Sequence, residues 1–286
     1  MNLHEFNAHR HTVATASGSA SYVDIGPRDG RTILFVHGLG TNAYLWRNVI
    51  AGLAAEYRCV ALDLPLHGDT PAGADRDFSL VGLTQFVEDF RTALDLTNID
   101  LVGNDTGGAI CQVFAATHPE RVMTLTLTDC DTHENLPPEG FKPVVEAAGK
   151  GDLAPTAPDL VAVPEQARKQ LFAGTYQSDD LPDDETVQIY LRPVMGTVEL
   201  AREFERLLVA LDAEDLMAIE PQLRTLTAPT LIVWGTDDPL FDLKWAYWLR
   251  GTIPGATKVV EVSGGRLFFP EERPEELIEP LRDFLG

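Results

Sequence analysis

The chain has 286 residues, of which 44% are hydrophobic and 23% charged, a composition that lets one large domain bury its own core without disulfide or metal staples. Its 44 acidic and 22 basic residues give a formal net charge of −22. A surface that acidic excludes nucleic acid and anionic membranes as expected partners and leaves a small molecule as the expected ligand. Cys59, Cys111 and Cys130 lie in or beside apolar runs with no Cys-x-x-Cys pair, the pattern of buried reduced thiols in a cytoplasmic protein. No apolar run approaches the ~18 residues of a membrane span, and residues 1–11 are too polar for a signal segment. The histidines show no metal-ligand spacing.

In chain order, residues 4–25 read as a hairpin turning near Ala16-Ser17-Gly18-Ser19. Thr32 to Val36 is an apolar strand running into His37-Gly38-Leu39-Gly40. Asn42 to Ala55 is an amphipathic helix with Trp46, Val49, Ile50 and Leu53 on one face. Cys59 to Leu62 is a strand, and Ser79 to Leu94 a helix with Ser79 as its N-cap. Ile99 to Val102 reads as a buried strand, Gly107 onward as a buried helix, and Val122 to Leu127 as the sixth strand. From about 134 to 218 the alternation gives way to helix formers, prolines and acids, which predicts a helical cap inserted after a strand. Thr230 to Trp234, Leu243 to Ile253, Thr257 to Val262 and Pro274 to Phe284 then restore the strand–helix order. This order predicts an α/β protein with a mostly parallel sheet covered on both faces. Its core is formed by 1–133 and 219–286, with 134–218 as the cap.

Two stretches carry chemistry. Gly38-Leu39-Gly40-Thr41-Asn42-Ala43 fits G-x-G-x-x-A, with Asp63 ending the next strand. That is close to a dinucleotide fingerprint. Two strands precede it, however, and His37 crowds the turn, so no cofactor is expected. The better reading is a loop that lends a backbone N–H, at Leu39, to an oxyanion hole. The second stretch is Gly103-Asn104-Asp105-Thr106-Gly107, a strand–turn–helix elbow that lifts one side chain above the sheet. The residue at its apex is Asp105, and Thr106 supplies the second oxyanion N–H. With no Ser or Cys there, serine esterase or lipase chemistry is disfavoured.

In these pieces the chain resembles the α/β-hydrolase fold nearly end to end: the His37-Gly38 loop, Asp63-x-x-x-His67-Gly68, the elbow, the cap and Gly235-x-x-Asp238. Phe35 to Gly38 and Tyr44 to Asn48 look like haloalkane dehalogenases, which share an elbow aspartate with epoxide hydrolases. The resemblance implies that Asp105 attacks carbon to give an alkyl–enzyme ester, which a histidine-activated water then hydrolyses. It implies Asp238 as the orienting acid and Asp129 as an alternative; turn capping is the other role open to each. The family places its histidine ahead of a Glu-x-Pro, and aligning Glu272 and Pro274 puts Leu267 there. No histidine occurs after His133, so His133 is the best replacement base. Dehalogenases also use a Trp after the nucleophile and a second halide donor; Thr106 and Leu39 stand in those places. That moves the expectation from halide release to epoxide hydrolysis, with Tyr176 and Tyr190 of the cap as acids, packing being the default role of each. His37 and Trp46 complete the candidate substrate contacts. A non-hydrolytic elimination, isomerisation or cyclisation enzyme, or a ligand-binding member of the fold, is the alternative.

Overall fold

The computed structural model describes residues 1–73 and 75–286. Eight strands form one sheet: β1 (Arg10–Thr15), β2 (Gly18–Ile25), β3 (Thr32–Val36), β4 (Arg58–Leu62), β5 (Ile99–Asp105), β6 (Val122–Cys130), β7 (Thr230–Gly235) and β8 (Ala256–Val262). Their spatial order is β1-β2-β4-β3-β5-β6-β7-β8. The β1–β2 hairpin is antiparallel, β2 runs antiparallel to β4, and every other pairing is parallel.

The residue pattern accounts for these places. The inner strands β3 and β7 are unbroken apolar runs because helices cover both faces. Edge strands β1 and β8 are instead largely exposed or half-buried. Helices Arg47–Leu53 and Glu275–Leu285 pack together on one face, and Leu80–Ala93 and Thr106–Thr117 on the other. The segment expected as one helix from Asn42 opens as a 3-10 turn, Ala43–Trp46, before Arg47–Leu53. A short helix, Leu3–Asn7, precedes the hairpin, started by a capping box of Asn2 and Glu5.

Between β6 and β7, helices Lys142–Lys150, Ala157–Val161, Pro164–Leu171, Asp184–Met195 and Val198–Ala210 pack on one another above the carboxyl ends of the strands. Ala213–Ala218 and Glu220–Leu223 already lie against Thr106–Thr117. The chain runs from β3 outward to β4 and then crosses back to β5, so the loops after β3 and β5 diverge from a common crevice. Ligand sites form at such a switch point.

Candidate active site

Strand β5 passes directly into helix Thr106–Thr117, and Asp105 at the corner has φ 56° and ψ −136°. A non-glycine residue held there costs on the order of 1–3 kcal/mol, so the surroundings must enforce it. Three glycines do so. A Cβ on Gly107 would strike the carbonyls of Val36 and His37; on Gly108 it would strike Cys130; on Gly103 it would meet Gly107 and Cys111. Bare backbone therefore lets the helix start flush against β3 and β6. Asp105 sits at that helix's N-terminus, where negative charge is favoured.

The loop after β3 closes over the carboxylate. Leu39 N–H donates to Asp105 Oδ2 at 2.9 Å, and the Thr106 N–H also favours the charged form. Gly38 is pressed so close that a Cβ would overlap the Asp105 carboxyl. Two buried histidines hold the loop. His37 donates from Nδ1 to the Gly38 carbonyl and accepts Leu64 N–H at Nε2 (2.9 Å). His67 donates to the Pro65 carbonyl and accepts Gly40 N–H. Burial pulls His37 down to about 4 and His67 to about 3, so both stay neutral and structural. His37 is thus a brace for the loop rather than a substrate contact. Asp63 accepts Ala43 N–H and Asp69 N–H and pairs with Arg10, so it too is spent on the loops.

Three further aspartates surround Asp105. Asp129, at φ 23°, turns toward β7, where Gly235 N–H reaches both its oxygens at 2.9 and 3.2 Å. Asp238 Oδ1 caps the next turn, accepting Leu240 N–H at 2.7 Å and Phe241 N–H at 3.0 Å, while its Oδ2 is buried without a partner. Burial raises Asp238 to about 6. Asp131 was not foreseen. It follows β6, accepts the Thr106 hydroxyl on Oδ2 at 2.7 Å, and keeps Oδ1 buried and unpartnered. Gln112 fixes its backbone by donating to its carbonyl at 2.8 Å. Burial pushes Asp131 up to about 7 against the downward pull of Thr106. Asp105 is raised well above the carboxylate range, by burial first and then by Asp131. Asp129 is raised in the same way, by burial and then by Asp238.

Leu267 is 3% exposed and lines the cavity beside Phe268, its carbonyl held by Asn104 Nδ2 at 3.0 Å. Several expected site residues lie elsewhere. His133 turns outward at φ 51°, pairs with Glu134 and Glu220, and stacks on Trp248 at 4.7 Å, so it does not replace the missing base. Trp46 is fully buried against Phe35 in the core. Tyr176 and Tyr190 both donate to Glu271 Oε2, at 2.6 and 2.8 Å, and Arg47 pairs with Glu271 Oε1 at 2.7 Å. Burial and then Glu271 raise both phenols well above their usual range, which makes them poor acids. These three residues are framework, not substrate contacts.

What remains is an apolar chamber of about 370 Å³ under the inserted helices. Asp105, Thr106 and Asp131 form its polar floor, and Leu136, Phe141, Phe172, Phe204, Leu240 and Phe268 are among its walls. Among the described residues no histidine lines it, and no group of three or more His, Cys, Asp or Glu is arranged to hold a metal ion.

The strand order, the strained turn after β5 and the loop folded over its apex define an α/β hydrolase. The model of the alpha/beta hydrolase fold family matches residues 31–273, and the chain belongs to that family. Among relatives, it is 24% identical over 268 residues to monoacylglycerol lipase abhd6-B of Xenopus laevis, across 91% of this chain and 77% of that protein. It is 33% identical over 120 residues to a haloalkane dehalogenase of Mesorhizobium japonicum, 42% of this chain and 38% of that one. The solved structure of haloalkane dehalogenase DbeA from Bradyrhizobium elkani superposes with TM-score 0.81 at 19% identity, covering 96% and 97% of the two chains, a likeness of fold. No helix of the described residues is long and apolar enough to cross a membrane.

Proposed function

We propose that the chain hydrolyses a small apolar carbon electrophile, an epoxide foremost, through covalent attack by Asp105. The observation that carries this reading is the Leu39 N–H donating to Asp105 Oδ2 at 2.9 Å, with the Thr106 N–H beside the same carboxylate. In acyl transfer those donors receive the oxygen of the substrate. Here the protein's own oxygen fills them, which argues against the ester cleavage of the lipase relatives. Once the other carboxyl oxygen has bonded to carbon, Oδ2 becomes the ester carbonyl oxygen. It already sits where charge builds when water adds to that ester. The Thr106 hydroxyl is spent on Asp131 and Leu39 has no polar side chain, which favours a strained ether over a haloalkane.

Styrene oxide serves as the probe. A single turnover in heavy-oxygen water should give unlabelled diol and a label in the Asp105 peptide, and Asp105→Asn should form no adduct. Full turnover by Asp105→Asn would remove the proposal. A proton-shuttling, non-hydrolytic reaction is the second reading, favoured by the absence of histidine from the described cavity lining. Its product would carry no oxygen from water in any turnover.

A further inference from the structure

The chamber floor holds two carboxyls where covalent attack needs one. Burial and Asp131 raise Asp105, but it has what Asp131 lacks: backbone N–H contacts at a helix N-terminus that pull toward the ionised form. Asp131 accepts a single neutral hydroxyl, and its other oxygen has no partner although it is fully buried. An uncompensated charged carboxylate oxygen there costs far more than a neutral protonated one. Two neighbouring carboxyls in so dry a place share one proton, and these contacts put it on Asp131.

We propose that Asp131 is the acid–base partner of Asp105, taking over the proton transfers for which the cavity offers no histidine. The inference rests on the covalent reading above. Asp105 carboxylate forms a bond to a ring carbon as the ring C–O bond breaks, and Asp131 gives its proton to the departing oxygen. The products are a hydroxyalkyl ester on Asp105 and an Asp131 carboxylate. Asp131 then takes a proton from water while the hydroxide adds to the ester carbon, Oδ2 carrying the charge against Leu39 and Thr106. The adduct collapses and expels the second alkoxide, which takes the proton of the newly formed Asp105 acid. Epoxide and water have become a diol, and the pair again holds one proton. With a strained ring the pair recovers its proton within each turnover, whereas a haloalkane would have to release acid to solvent.

The charged groups facing the pair are few. Asp238 adds to the lift on Asp105, Arg266 pulls Asp238 down against its burial, and Asp238 adds to the lift that burial gives Asp129. The test compares two reagents on Asp131→Asn, which replaces a neutral acid by a neutral amide and leaves the charge on Asp105. Styrene oxide needs a proton donor to open; 1-iodohexane expels iodide without one. Intact-mass kinetics should show iodohexane labelling of Asp105 within about threefold of wild type. Labelling by styrene oxide should fall at least ~100-fold, the ordinary worth of a positioned acid. At pH 8 the hexyl ester should clear in wild type and persist in Asp131→Asn. Equal loss with both reagents, or loss with neither, overturns the role of Asp131 alone. A wild type that neither reagent labels overturns the covalent reading, and this inference with it. Thr106→Val tests the same idea if Asp131→Asn does not fold. Losing the hydroxyl should move the alkaline limb of styrene oxide turnover to higher pH, and an unmoved limb would count against the assignment.

Discussion

Substituting the cap tyrosines separates framework from chemistry. Tyr176 and Tyr190 donate to one oxygen of Glu271 and Arg47 pairs with the other, in a cluster where the Glu271 side chain is 5% and that of Arg47 14% exposed. A hydrogen bond to a charged acceptor is worth about 1.5–3 kcal/mol. Tyr176→Phe and Tyr190→Phe should each cost that much. Glu271→Gln keeps the shape but strands the Arg47 charge, and breaking a buried pair from one side costs about 3–5 kcal/mol. For a chain of this size about 1 kcal/mol lowers Tm by roughly 2 °C. Thermal unfolding followed by circular dichroism should therefore show falls of roughly 3–6 °C for each Phe variant and roughly 6–10 °C for Glu271→Gln. Styrene oxide turnover at a temperature where all are folded should stay within about threefold of wild type, since none of the three residues lines the chamber. A Phe variant with unchanged Tm and a ~100-fold slower rate would refute the reasoning and restore its tyrosine as the ring-opening acid.

Three other outcomes follow from the same geometry. Gly38→Ala places a Cβ inside the Asp105 carboxyl; it should abolish labelling of Asp105 by iodohexane in a protein that still folds, and normal labelling would show the loop to be freer than drawn. Leu267→His sets an imidazole in the wall of the cavity that Asp105 also lines; quench experiments should show the Asp105 ester clearing faster, and an unchanged half-life would argue that Leu267 does not stand where the family keeps its base. Asp131 ionises near 3.8 unfolded and about 7 folded. Over that window the unfolded chain loses a proton the folded one keeps, so stability falls as pH rises and is level above it. Urea midpoints should drop from pH 5 to pH 8 and drop less in Asp131→Asn; an equal drop in both would refute the assignment.

The fold was legible because both of its signals are local. Strand–helix alternation is written in hydrophobic period, and the elbow in glycines whose spacing has one steric purpose. Asp105, Leu39 and Thr106 were found together because backbone donors at a tight turn depend on chain geometry alone. The failures share another cause. For Tyr176 and Tyr190 both packing and an acid role stayed open, because sequence does not say that Glu271, some 80–95 residues away, will meet them. His133 looked well placed at a strand's end, yet a single left-handed residue turned it to the surface. Trp46 went into the core because its segment starts as a 3-10 turn rather than a regular helix. Asp131 stood in plain view in Asp129-Cys130-Asp131. Only the backbone twist at Asp129 sends the first acid to Gly235 and the second to Thr106.

The Arg47–Glu271 cluster also governs how the chamber can breathe. On that side the inserted helices are fastened to the sheet domain by more than the two phenols. Asn42 donates to the Ile189 carbonyl, Arg266 to that of Tyr176, Phe268 N–H to that of Thr175, and Glu272 receives the N–H groups of Gln177 and Ser178. Across the chamber, the wall from Leu136 to Leu160 meets Leu240 and Phe241 through apolar side chains and a hydrogen bond from Asn135 to the Leu240 carbonyl. Opening the fastened margin means breaking the two phenol hydrogen bonds to a buried carboxylate; opening the other parts apolar contacts and one hydrogen bond. The roof is therefore held more firmly beside Glu271 than beside Pro137 and Pro138, and low-energy fluctuations favour the weaker margin.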